Sequence, residues 1–201
     1  MMKYTVPAML EPSFEKFPDR VALTFVGETP VTYRQLKENT LKVAALLASN
    51  GIGKGDKIAI LSANMPNWGI AFFGISWLGA VTVPILPDFS TFEIKTIIEH
   101  SEAKILFVSE GLFHKIENEH FYGKVKVILL DKFTVIPEGT KVKELSNFEK
   151  TDLKNFVPVG ESMAEEDELA TILYTSGTTG SSKGVMLTQK NIAWTGKQSL
   201  T

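Results

Sequence analysis

The chain has 201 residues, 44 % of them hydrophobic and 22 % charged, with 21 Lys and Arg against 23 Asp and Glu for a formal net charge of -2. Its length fits one packed domain with at most part of a second, and the charge balance excludes the clustered basic excess that a nucleic-acid surface needs. There is no cysteine, which excludes a disulfide framework, a thiolate metal site and a cysteine nucleophile. The opening MMKYTVPAMLEPSF has no long apolar core, so no signal peptide is expected and a cytoplasmic location is.

In chain order, Thr32 and Gln35 have the spacing of a capping box. The helix they start carries Leu36, Val43, Ala44 and Leu47 on one face and stops at Asn50-Gly51. Gly53, Lys54, Gly55 and Asp56 turn the chain into a short buried strand at 57–61. No charged residue falls in 63–87, a stretch long enough to raise the question of a membrane span. Asn64, Pro66 and Asn67 cluster at one end, Pro84 and Pro87 interrupt the other, and Gly79 divides it. A buried helix at 68–78 followed by a strand at 81–83 is therefore expected instead, with Trp68, Phe72, Phe73 and Trp77 packing the helix. No transmembrane segment is expected; peripheral membrane contact is compatible with the sequence.

The pattern then repeats. Ser90 and Glu93 make a second capping box, Ile94, Ile97 and Ile98 form an apolar face, and the helix should end near His100. A strand is expected at 105–108, a helix on Leu112, Phe113 and Ile116, and a strand at 125–130. Buried strands alternating with helices of this length are the signature of an α/β fold, a layered and largely parallel sheet flanked by helices, with right-handed crossovers. Residues 131–169 lack periodicity and read as a surface excursion with no assignable elements. Glu165, Glu166, Asp167 and Glu168 read as its solvated end. Order returns with a strand at 170–174, a glycine-rich loop, a strand at 185–187, and Thr188 as the cap of a helix beginning near Asn191. The two strands around the loop should be adjacent and antiparallel, because no crossover helix joins them. The sequence ends inside the last helix, so a truncated domain with an exposed, self-associating apolar surface is expected.

The loop carries the functional argument. Thr175, Ser176, Gly177, Thr178, Thr179, Gly180, Ser181, Ser182, Lys183 and Gly184 combine three glycines, six hydroxyls and one lysine. Glycine allows close backbone approach, successive amides and hydroxyls surround phosphate oxygens, and a lysine neutralises their charge. The common P-loop is excluded, since Lys183 is followed by Gly184 and then by a strand instead of a helix. A Gly-x-Gly-x-x-Gly dinucleotide fingerprint is absent from the loop. Composition alone leaves an anion-binding loop and an exposed linker both open. His100, His114 and His120 show no catalytic partner by spacing and read as surface or helix-end residues, and Trp194 reads as a core residue.

Tyr174-Thr175-Ser176-Gly177-Thr178-Thr179-Gly180 followed by Lys183-Gly184 closely resembles the most specific motif of the adenylate-forming (AMP-binding) enzymes. The resemblance extends over nearly all 201 residues, through Phe17-Pro18-Asp19-Arg20, Thr32-Tyr33, Gly53 to Asp56, Gly79-Ala80 and Pro84. Asn64-Met65-Pro66-Asn67-Trp68, Pro84-Ile85-Leu86-Pro87 and Ser101-Glu102-Ala103-Lys104 look most like the long-chain fatty acyl-CoA synthetase branch. Two residues depart from it: Ser182 stands where proline is usual, and Gln189 where histidine is common.

The resemblance implies that residues 1–201 are the N-terminal part of an AMP-binding domain and that a C-terminal domain lies beyond them. It implies a parent enzyme that joins a carboxylic acid to ATP as an acyl-adenylate, releases pyrophosphate and passes the acyl group to coenzyme A, with Mg2+ on the phosphates. Lys183 would be the catalytic cation. Thr175, Ser176, Thr178 and Thr179 would contact phosphate, and Gly177, Gly180 and Gly184 would permit the loop shape. No carboxylate here matches a metal ligand of the family, and the adenine, ribose and coenzyme A contacts are expected beyond residue 201. The isolated chain is expected to be inactive. A ligase for another acid and a non-catalytic scaffold are the other readings left open.

Overall fold

A computed structural model describes residues 3–27, 29–119, 124–175 and 183–198. The elements run α1 (Val6–Lys16), β1 (Val21–Leu23), β2 (Val31–Thr32), α2 (Tyr33–Ser49), β3 (Lys57–Leu61), α3 (Pro66–Trp77), β4 (Val81–Ile85), α4 (Thr91–Ser101) and β5 (Ile105–Val108). A 3-10 turn (Glu110–Lys115) leads to β6 (Lys126–Leu129) and β7 (Thr134–Ile136). Two more 3-10 turns (Val142–Asn147 and Leu153–Asn155) precede β8 (Leu169–Thr175), β9 (Lys183–Thr188) and α5 (Gln189–Gln198).

Local chemistry starts the two best-defined helices. Thr32 Oγ1 accepts from the Gln35 amide while Gln35 Oε1 accepts from the Thr32 amide, and Ser90 with Glu93 repeats the arrangement at α4. Both boxes stand where the sequence places them. Thr32→Ala is expected to destabilise the protein by about 1 kcal/mol. The urea midpoint measures this, and an unchanged midpoint would show the box contributes nothing.

The main sheet has seven strands in the order β7-β6-β5-β3-β4-β8-β9. Strands β3, β4, β5, β6 and β8 run parallel, while β7 and β9 close the two edges antiparallel. This is the largely parallel α/β sheet expected from the alternation. Its central strands β3, β4 and β5 are buried on both faces: Ile58, Ile60, Ile105 and Phe107 point to one core with Val43, Leu47 and Ile75, and Ala59, Leu61, Val83, Leu106 and Val108 point to a second with Ile94, Ile97 and Ile98. Removing these side chains from water is the main drive for the layering.

The uncharged stretch at 63–87 resolves into α3 and β4, and among the described residues no helix is long and apolar enough to cross a membrane. Trp77 is buried, Trp68 and Phe73 pack on the same core, and Phe72 stacks on Trp68 with ring centroids 5.5 Å apart. Gly79 joins α3 to β4 at φ 64°, and a Cβ there would sit 3.0 Å from the Met163 carbonyl oxygen, so both conformation and space require glycine.

Several expectations need correction. β4 continues through Pro84 to Ile85 instead of ending at Val83, in parallel register with β3 throughout. The segment holding Leu112 and Phe113 is a 3-10 turn, with Ile116 as its cap, and not an α-helix. The excursion is also more structured than its composition suggests, since β7 pairs with β6 and two 3-10 turns follow. Its far end is pinned to α3: the Trp77 indole donates to the Gly160 carbonyl at 2.9 Å and the Met163 amide donates to the Trp77 carbonyl at 2.9 Å.

The helix α1 has no counterpart in the sequence reading. Thr5 caps it by accepting from the Ala8 amide, and Pro12 lies within it. It docks instead of standing alone, through contacts with α2, α3 and α5. The acidic run does lead into β8, but it is a tether more than a solvated face. Glu165 pairs with Lys3, Glu166 accepts from the Tyr4 amide, and Glu168 pairs with Lys54.

Candidate active site

The parallel strands all point their carboxyl ends to one edge of the sheet, where ligands of open α/β sheets bind. Strand β8 reaches that edge beside β4. Thr82 is in register with Thr171, and the Thr171 hydroxyl donates to the Thr82 carbonyl at 2.9 Å. β9 then returns antiparallel along β8, as expected for a loop without a crossover helix, with Tyr174 opposite Gly184 and Thr175 opposite Lys183. The two ends of the glycine-rich loop are therefore held as one cross-strand pair at the carboxyl edge. Ser176, Gly177, Thr178, Thr179 and Gly180, together with Ser181 and Ser182, lie outside the described residues.

Thr175, Lys183 and Gly184 are exposed at the end of the hairpin. Tyr174, just before them, is 5 % exposed, and burial raises the pKa of its hydroxyl, which keeps the phenol neutral. The hydroxyl lies 2.7 Å from Nδ1 of His100 in the last turn of α4, and the two rings meet edge to face at 89°. His100 thus occupies a helix end, as its spacing suggested, but it has a partner that spacing did not reveal. His114 Nδ1 contacts the Gly111 carbonyl, and His120 lies outside the described residues.

Gly184 has a packing reason besides the loop shape its motif suggests. A Cβ there would come within 2.9 Å of Ile172 Cγ2 and 3.4 Å of Tyr174 Cζ, so its bareness lets the Tyr174 phenol lie across β9. Thr188 and Asn191 exchange hydrogen bonds at the start of α5, which places the cap as expected and the helix at Gln189.

Of the next residues, Gln189 has a role that its departure from the motif did not reveal, and Trp194 corrects a reading. Gln189 is fully buried: its Oε1 accepts from the Val6 amide at 3.0 Å and its Nε2 donates to Ser76 Oγ at 3.0 Å. Trp194 is not a core residue. It is 46 % exposed and meets the Tyr4 ring at 5.4 Å, with the Lys197 ammonium above the Tyr4 ring.

Chemically, the edge offers a hydroxyl, an ammonium and backbone donors, the groups that hold an anion. Among the described residues, no group of three or more His, Asp or Glu could hold a metal ion. The donors present fit phosphate and do not by themselves make a Mg2+ site.

The family model described as "AMP-binding enzyme" matches residues 10–200 of the chain. The chain belongs to the AMP-binding enzyme family. It is 28 % identical over 208 residues to the long-chain-fatty-acid–CoA ligase of Bacillus subtilis (strain 168), covering 94 % of this chain and 37 % of that protein. It is 35 % identical over 161 residues to 4-coumarate–CoA ligase 2 of Nicotiana tabacum, covering 80 % and 28 %. Among solved structures, the Klebsiella oxytoca NpsA N-terminal subdomain superposes with a TM-score of 0.72 at 26 % identity, covering 96 % of this chain and 44 % of that one. The AMP-binding chain thus spans 37 % and 28 % of the lengths of these two curated relatives.

Proposed function

We propose that the protein activates a carboxylic acid with ATP and transfers the acyl group to coenzyme A, with a long-chain fatty acid as the acid. The observation that carries this reading is the β8–β9 hairpin, which brings Thr175 and Lys183 together at the carboxyl edge of a family-typical sheet. In the first step a carboxylate oxygen bonds to the α-phosphorus and the bond from that phosphorus to the β-bridging oxygen breaks, so pyrophosphate leaves with the electron pair. In the second, the coenzyme A thiolate attacks the acyl carbon and AMP leaves.

Lys183 balances the charge that develops on the departing pyrophosphate, and the Thr175 hydroxyl donates to a phosphate oxygen. Ser176, Thr178 and Thr179 are assigned to phosphate contact on sequence alone, with Gly177 and Gly180 permitting the approach. Mg2+ accompanies the triphosphate as its counter-ion. Adenine, ribose and coenzyme A contacts are assigned to residues outside this N-terminal part of the AMP-binding domain.

The fatty-acid assignment rests on the segments at 64–68, 84–87 and 101–104; the two curated relatives named above carry different acids in their names. Acid-dependent pyrophosphate release by the full-length protein, measured with acids of graded chain length, tests it. Turnover is expected to rise toward long chains. Best turnover on a short, aromatic or amino acid would sink the fatty-acid assignment while leaving adenylate formation standing.

A further inference from the structure

Tyr174 is the residue through which the described end of β8 is fixed, and its ring is held from two sides. On one side it crosses β9 at Gly184, where even a methyl group would meet Tyr174 Cζ at 3.4 Å and Ile172 Cγ2 at 2.9 Å. On the other, its hydroxyl reaches His100 Nδ1 at 2.7 Å, a contact spanning 74 positions of sequence between the end of α4 and the end of β8. Without that partner nothing fixes the hydroxyl end of the phenol, and in a close-packed interior any shift of the ring is passed to β9. The contact leads directly to the site, since Thr175 follows Tyr174 and pairs with Lys183 next to Gly184.

We propose that His100 is a positioning residue for ATP: by anchoring the Tyr174 hydroxyl it locks the phenol over Gly184 and sets the separation of Thr175 and Lys183. The inference rests on the adenylate-forming reading of the same site. His100 itself is exposed and belongs to neither apolar core, so its work is geometric. A phenol hydroxyl donates to an imidazole nitrogen that lacks hydrogen and accepts from one that carries it, so the contact forms with either ring tautomer. What it needs is a polar atom at the place of Nδ1. Asparagine puts its amide there, whereas glutamine reaches the place of Nε2.

The test uses the full-length protein and acid-dependent ATP–pyrophosphate exchange. His100→Ala should raise KM for ATP about fivefold, the factor that corresponds to one ordinary hydrogen bond, with kcat little changed. Water enters at the exposed His100 position, so the thermal midpoint should move by no more than about 2 °C. Tyr174→Phe should raise KM similarly, and the double variant should be no worse than either single one. His100→Asn should restore a low KM, and His100→Gln should not.

An unchanged KM for ATP in both single variants of an active protein would overturn the proposal. So would a KM that rises only in step with lost thermal stability, with Asn no better than Gln. A wild-type protein that shows no acid-dependent exchange is a separate result: it overturns the adenylate-forming reading itself, and the role of His100 with it.

Discussion

Lys183→Ala is expected to lower acid-dependent ATP–pyrophosphate exchange by about 10²- to 10³-fold, the usual effect of removing one donor aimed at charge that develops in a transition state. Lys183 opens β9, is exposed, and stands opposite Thr175 at the carboxyl edge of the sheet. Its ammonium is the only lysine or arginine head group within 175–184. The side chain belongs to neither apolar core, so the truncation should change stability by no more than about 0.5 kcal/mol. Activity and stability therefore separate in this variant. Lys183→Arg keeps the charge but spreads it over a wide planar fork, and should recover only part of the rate. Exchange by Lys183→Ala within a factor of two of wild type would remove Lys183 from the mechanism. Collapse of the urea midpoint alongside the rate would show that its role is structural.

Gln189→Leu should have the largest effect on stability among the polar residues near the site. The amide is fully buried and joins the Val6 amide of α1 to the Ser76 hydroxyl of α3, which is itself 1 % exposed. Leucine matches the volume but supplies neither an acceptor nor a donor. It leaves two buried groups unpaired, at about 1–3 kcal/mol each, so a total loss of about 2–6 kcal/mol is expected from those two terms. Urea unfolding gives the total, and amide exchange at Val6 shows where the loss falls. A loss under about 0.5 kcal/mol would mean that water or rotation satisfies both groups. Gln189→His is the informative exchange, because imidazole also offers one donor and one acceptor. That variant should retain most of the stability.

What was legible in the sequence was what local chemistry writes there. Thr32 with Gln35 and Ser90 with Glu93 are three residues apart, and both boxes formed as read. The short strands read at Lys57–Leu61 and Ile105–Val108 formed with those limits. The hairpin was legible because too few residues separate its strands for a crossover. The unread parts depend on distant partners. A proline sits within α1, whose place is set by docking on α2, α3 and α5. β7 is three residues long and exists by pairing with β6. Trp194 was misread because its partner, Tyr4, is at the other end of the chain. His100 and Tyr174 could not be matched by spacing across 74 positions, although a tyrosine hydroxyl calls for a polar partner wherever it is buried.

The bond from the Val6 amide to Gln189 spans 183 positions, and this has a consequence for the order of events during synthesis. At the roughly 5–20 residues per second at which chains emerge from a ribosome, α1 waits about 10–40 s for the amide that fastens its first turn. During that interval β3 and β4 have already been made, but β8, which covers the open side of β4, has not. The nascent chain therefore passes through a stage in which a bare strand edge coexists with an α1 that has only α2 and α3 to pack on. That stage exposes it to misassociation, and chaperone binding should be strongest there and fall away once Gln189 has cleared the exit tunnel.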